Sequence, residues 1–142
     1  MTSIKRPVSK TIFTEIIEGE RPGYIIYEDS NHVAILDKYP IDTGHSLVIP
    51  KTPYEKITEM PQSEVAELFS IVPHIATAIL KATGAVAFSI AQNNGKEAKQ
   101  IVPHVHVHII PRYADKATMW TKRGLPSNEE LQELQNKIKN FF

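Results

Sequence analysis

The sequence predicts an α+β fold: a five-stranded antiparallel sheet with a long central helix and a C-terminal helix. Short strand-like segments fall into two groups, three before residue 51 and two after residue 84. Between them the apolar period changes from two to 3.6, as a sheet gives way to a helix. The connections within each group are short, which favours antiparallel pairing.

Each element has a local reason. Residues 1–10 are polar with one proline and are expected to be loosely held. Thr11 to Glu18 reads as a short helix, with Ile12, Phe13, Ile16 and Ile17 on one side. Arg21-Pro22-Gly23 is a turn. Tyr24 to Glu28 and His32 to Asp37 read as a hairpin around the Asp29-Ser30-Asn31 turn. Lys38 to Gly44 is a loop, and His45 to Pro50 is a third strand closed by its proline. Val65, Leu68, Phe69, Val72, Ile75, Ala76, Ile79 and Leu80 then recur at helical spacing, with Pro61 suited to the first turn and Gly84 to the C-cap. Pro73 is expected to kink this helix, because the apolar stripe continues past it. Ala85 to Ala91 is a fourth strand, Gln92 to Gln100 a polar loop, and Val102 to Ile110 a fifth strand. Ser127 and Glu130 form a capping box for a last helix, about 127–141, that carries Leu131, Leu134, Ile138 and Phe141. The expected organisation is one domain over 1–142 with its core at about 11–113.

Composition narrows the function classes. The 142 residues are 42% hydrophobic and 23% charged, as in a globular domain. Sixteen basic and sixteen acidic residues cancel, so no global field draws in nucleic acid. There is no cysteine, which excludes disulfides, thiolate catalysis and cysteine-based zinc sites. No apolar run follows the charged N-terminus, and none reaches the roughly 18 residues of a membrane helix. The expectation is a cytoplasmic protein without a membrane or nucleic-acid partner.

Half of the six histidines sit in QIVPHVHVHIIPR. In an extended chain His104, His106 and His108 share one face, about 7 Å apart, while Val105, Val107 and Ile109 take the core side. Three readings are open for that face. It is a solvated polar surface, a metal site built on His-x-His, or a nucleophilic site for phosphorus. In the third, one neutral imidazole attacks while its neighbours and the loop's backbone N–H groups hold phosphate oxygens.

With these residues in view, the chain resembles the histidine triad (HIT) family of nucleotide hydrolases and transferases. The likeness rests on VAILDKYPIDTGHSLVIPK and NNGKEAKQIVPHVHVHIIPR, in that order, and spans roughly residues 12–113. The resemblance implies that His106 is the nucleophile, with His104 and His108 orienting it and contacting phosphate. It implies that His45 supports the triad and that Asp37 binds ribose hydroxyls. Asn93, Gly95 and Gln100 match the polar phosphate-side loop. It further implies a homodimer through the long helix and the fourth strand, a purine nucleotide as small-molecule partner, and no required cofactor. A divalent ion could accompany a polyphosphate substrate. The implied reaction is hydrolysis at the α-phosphate of nucleoside phosphoramidates or dinucleoside polyphosphates, through a nucleotidyl-histidine intermediate. A nucleotide-binding module with little turnover and a metal-dependent hydrolase on His104, His106 and His108 are the alternatives.

The chain also departs from the family pattern. Thr11 and Thr14 stand where many bacterial relatives carry the Cys-x-x-Cys of a structural zinc, so no such zinc is expected. Lys99 replaces a usual glycine. Ile101 replaces a frequent Ser or Thr whose hydroxyl would contact the scissile phosphate or the leaving group. His32 and His74 match no motif and read as partly exposed. Trp120 either reaches the site or packs in the core.

Overall fold

The hydroxyl of Thr11 accepts hydrogen bonds from the backbone N–H groups of Phe13 and Thr14, at 3.2 and 3.3 Å. A helix leaves these groups without partners in its first turn, so the cap starts α1 (Ile12–Ile17). The computed structural model describes residues 10–114, 116 and 123–142. Asp29 then turns the chain: its Oδ1 accepts from the N–H groups of Asn31 and His32, both at 2.8 Å. This joins β1 (Ile25–Glu28) to β2 (His32–Leu36). β3 (Ser46–Pro50) follows, and then α2 (Gln62–Thr83). Gly84, at φ 73°, ends α2 with its N–H on Leu80 O. β4 (Ala87–Ala91), β5 (Val107–Arg112) and α3 (Asn128–Lys139) complete the order. The Ser127–Glu130 capping box at the start of α3 is formed in both directions.

The sheet runs β1-β2-β3-β5-β4, and every neighbouring pair is antiparallel. One face carries Ala34, Leu36, Val48, Val107 and Ile109 against Leu68, Val72, Ile75 and Ile79 of α2 and Leu131 and Ile138 of α3. Each fully buried Val, Leu or Ile among them contributes about 1.5–3 kcal/mol. The opposite face carries Val33, Ile35, Leu47 and Ile49 under Phe13 and Ile16 of the short α1. A one-and-a-half-turn helix cannot cover a whole sheet face. The Phe13 ring of α1 also packs edge-on against the rings of His104 and His106.

Four expectations need correction. First, the fifth strand enters the ladder at Val107 and runs on to Arg112, so His104 and His106 precede it. Pro103 breaks the extension: His104 N–H closes a three-residue turn on Val102 O at 2.8 Å. Second, His32 is buried, at 3% exposure, with its Nδ1 3.0 Å from Asp29 Oδ1. The turn carboxylate holds it there. Third, by length and composition α2 could cross a membrane, although no stretch was expected to. Its apolar residues serve the core instead, since Leu68, Ile75 and Ile79 are wholly buried against the sheet. Fourth, β1, β2, β3 and β4 are each shorter than expected by one or two residues, with Tyr24, Asp37, His45, Ala85 and Val86 outside the ladders. Trp120 lies outside the described residues.

Candidate active site

Backbone carbonyls fix the imidazoles. His104 points its Nε2 at Pro50 O, 2.8 Å away, so that nitrogen holds the proton. Its Nδ1 is buried with no hydrogen-bond partner among the described residues. His106 places Nδ1 2.7 Å from His104 O, so the proton is on Nδ1 and the lone pair on Nε2. His45 Nδ1 accepts the backbone N–H of Ile41 at 3.0 Å, which puts the His45 proton on Nε2. That nitrogen donates to His108 Nδ1 at 2.8 Å, and the His108 proton is therefore on Nε2. One backbone N–H thus sets two tautomers in series.

The elements supply these positions for local reasons. Gly44 precedes His45 at φ 93°, an angle that glycine adopts without cost. A Cβ there would also meet Thr83 Cγ2 at 3.0 Å and Pro111 Cγ at 3.1 Å. β3 pairs with β5 so that Leu47 faces His108 across the ladder. Phe13 of α1 lays its ring edge-on to His106 and His104, at 5.0 and 5.9 Å between centroids.

Burial holds these rings neutral. His45 and His108 are both pushed down to about 3, first by burial and then by neighbouring positive charge, Arg123 included. Burial also lowers His104 and His106, against the raising effect of the carbonyls they bond. A neutral His106 keeps its Nε2 lone pair available for attack. Asp37 is pushed up by burial, opposed by the Tyr39 N–H on Oδ1 at 2.9 Å and by Arg123.

His106 and His108 line a cavity of about 510 Å³ with Asp37, Asn93, Lys99 and Arg123 on its walls and Phe13, Ile16, Ile35 and Leu47 as its apolar lining. That size and mixture suit a small molecule with an apolar ring and a few fixed polar groups. Asp37 and His45 also border a second cavity, of about 480 Å³, beside α3.

Of the residues singled out in the sequence, His106, His108, Asp37 and Asn93 meet at the larger cavity, and His45 stands behind His108. Gly95 and Gln100 are not on its wall. Gln100 staples the loop instead: its Oε1 accepts Gly95 N–H at 2.7 Å and its Nε2 donates to Glu55 O at 2.6 Å. His104 is also absent from the cavity lining. Arg123 was missed. Its Nη1 reaches Tyr39 O at 3.0 Å and lies 3.4 Å from Asp37 Oδ2 and 3.5 Å from His45 Nδ1. It belongs to no motif and lies 86 residues from Asp37 in sequence, so no sequence signal pointed to it.

Among the described residues, the donor atoms of His104, His106 and His108 do not gather into one cluster that could hold a metal. Donor atoms of Asp37, His45 and His108 do cluster, within 4.8 Å of one another. There, however, His45 Nε2 carries the proton it donates to His108 and offers no lone pair. At the position of the resemblance's structural zinc, the Thr11 and Thr14 hydroxyls bond each other at 3.2 Å and cap α1. Neutral hydroxyls engaged in a helix cap are not the thiolate, imidazole or carboxylate donors of a zinc site.

The fold and site define a protein that brings a neutral imidazole, His106, to the wall of a cavity of small-molecule size. The HIT domain model matches residues 18–115, and the chain belongs to the histidine triad (HIT) family. It is 45% identical over 114 residues to the adenylylsulfatase HINT3 of Arabidopsis thaliana, covering 80% of this chain and 57% of that protein. The chain thus spans little more than half of that relative's length. It is 34% identical to the adenosine 5′-monophosphoramidase hnt1 of Schizosaccharomyces pombe, over 90% of this chain and 98% of that one. Among solved structures, a histidine triad nucleotide-binding protein of Sulfolobus tokodaii superimposes with a TM-score of 0.85 at 36% identity, covering 92% of this chain and 90% of the other.

Proposed function

We propose that the protein hydrolyses adenylyl compounds at the α-phosphate, with His106 as the nucleophile. The observation that carries this is the His106 Nδ1 bond to His104 O, which leaves the Nε2 lone pair at the cavity. Asp37 holds the ribose hydroxyls, Phe13, Ile16, Ile35 and Leu47 take the base, and Asn93 contacts phosphate. His106 Nε2 attacks phosphorus. The N–P bond forms, and the bond to the expelled group breaks with its electron pair. The positive charge that develops on the His106 ring is stabilised through Nδ1–H by the His104 carbonyl. His108 Nε2–H donates to a phosphate oxygen, with its tautomer fixed through His45. Water then attacks phosphorus, the N–P pair returns to His106, and AMP leaves. A phosphoramidate and adenylyl sulfate both fit this scheme, and two relatives carry the names of enzymes for such substrates. No metal takes part at the nucleophile, a reading supported by the proton on His45 Nε2.

A homodimer belongs to the same proposal. β4 is an edge strand, and Val86, Phe88 and Ile90 on or beside it are 68%, 39% and 48% exposed. A long apolar edge favours burial against a second copy. The direct test is turnover of an adenosine 5′-phosphoramidate and of adenylyl sulfate, with and without chelator. Turnover that survives chelator and vanishes in His106→Ala supports the reading. Activity that persists in His106→Ala ends it. AMP binding without turnover of either substrate moves the protein to the binding-module class.

A further inference from the structure

Lys99 is the one non-glycine residue at positive φ among the described residues, at φ 67°, ψ 30°. A left-handed backbone strains any residue with a Cβ, and glycine would sit there without cost. Such strain persists where the side chain serves the site. Lys99 stands on the wall of the His106 cavity, which Asn93 and Ile101 also line.

The charges around the cavity sharpen the point. The whole chain is neutral, with sixteen basic and sixteen acidic residues. The cavity lining nevertheless holds Arg21, Lys38, Lys99 and Arg123 against the single carboxylate of Asp37. Arg21 is paired with Glu15 at 2.8 Å and Arg123 with Asp37 at 3.4 Å. Lys38 and Lys99 have no ion pair among the described residues. Lys38 adjoins Asp37 in the chain. Lys99 belongs to the loop before the triad, far in sequence from Asp37, and lines the same cavity as His106.

We propose that Lys99 is a specificity-determining residue that favours substrates expelling an oxyanion (sulfate, phosphate or polyphosphate) over substrates expelling an amine. This rests on the hydrolase reading above and deepens it. When the P–O bond to an oxyanion breaks, the electron pair goes to oxygen, and the ammonium of Lys99 stabilises that charge. When a P–N bond breaks, the amine takes up a proton from solvent, and Lys99 repels the cation that results. The second step is common to both: water attacks the nucleotidyl-His106 phosphorus, AMP leaves, and the proton of that water goes to solvent. The Ile101 side chain beside Lys99 offers no hydroxyl to either leaving group.

The test compares wild type with Lys99→Gly, Lys99→Met and Lys99→Arg. Two ratios are measured: kcat/KM for adenylyl sulfate or diadenosine tetraphosphate against adenosine 5′-phosphoramidate, and affinity for ADP against AMP by calorimetry. The terminal phosphate of ADP extends into the leaving-group space, so the second ratio needs no turnover. Lys99→Gly and Lys99→Met are expected to lower both ratios about tenfold, and Lys99→Arg to retain them. The wild-type ADP preference is expected to fall as salt is raised, and the Lys99→Gly preference to stay flat. Lys99→Gly is expected to melt no lower than wild type, so a lost ratio is not a folding defect. Unchanged ratios in both neutral variants overturn the proposal. A wild type that turns over no substrate defeats the hydrolase reading alone, and the ADP ratio still decides the role of Lys99.

Discussion

At His106, a 2.7 Å bond to its neighbour's carbonyl decides which nitrogen can attack. The same logic runs through His45, where the Ile41 N–H fixes the ring that fixes His108. This relay is testable at the residue scale. His45→Phe keeps the ring shape but removes both nitrogens. It leaves a buried N–H unpaired, which costs about 1–3 kcal/mol of stability. It also frees the His108 proton to move to Nδ1, away from the phosphate. Turnover is expected to fall about a hundredfold, while AMP affinity measured by calorimetry changes only a few-fold. An equal loss in both would make His45 a binding residue instead. Arg123→Gln tests the cation beside this relay. Without the guanidinium, His45 and His108 protonate more readily, and the acid limb of the pH–rate profile is expected to move to higher pH.

Among the described α-helices, α1 is the shortest and the one packed against His104 and His106. It depends on its Thr11 cap, whose loss costs about 1 kcal/mol. Thr11→Ala is therefore expected to lower the melting temperature slightly. It should raise KM for nucleotide more than it lowers kcat, because Phe13 and Ile16 line the cavity. Most elements could be read from the sequence, because each had its own punctuation. Pro61 and Gly84 bracket α2, the Asp29 turn joins the hairpin, and Ser127 with Glu130 starts α3. The start of β5 could not be read. Alternation of histidine and valine from 104 to 109 looks the same whether or not a neighbouring strand is present to pair. Only the position of β3 and the turn at Pro103 exclude His104 from the ladder. Gln100 was ambiguous for a related reason: a polar side chain in a polar loop can face a ligand or its own backbone, and here it holds Gly95 and Glu55. His106 and His108 were visible as chemistry. Asp37 and His45 were visible only through family resemblance, and Arg123 not at all, since its role depends on chain segments brought together by folding.

For the whole molecule, four buried neutral histidines couple stability to pH. Their folded pKa values lie below the ordinary 6.5, and those of His45 and His108 are about 3. The unfolded chain therefore binds more protons below about pH 6.5. The contribution of His45 and His108 is complete above that pH and is lost progressively toward about 3, and His104 and His106 act in the same direction. Urea unfolding at pH 7.5 and pH 5 is expected to give a clearly lower midpoint at pH 5, and His45→Phe to reduce the difference. Assembly is the second property at this scale. Sedimentation is expected to give twice the chain mass, and Ile90→Lys on the edge strand to give a folded monomer. A monomeric wild type would remove the dimer from the account. The central claim is that His106 becomes covalently nucleotidylated. The measurement that tests it is peptide mapping by mass spectrometry after a rapid alkaline quench of enzyme mixed with adenylyl substrate. The expected result is one adenylyl group on the peptide containing His106, absent from His106→Ala. Turnover with no adduct at early times, and with full activity in His106→Ala, would contradict it.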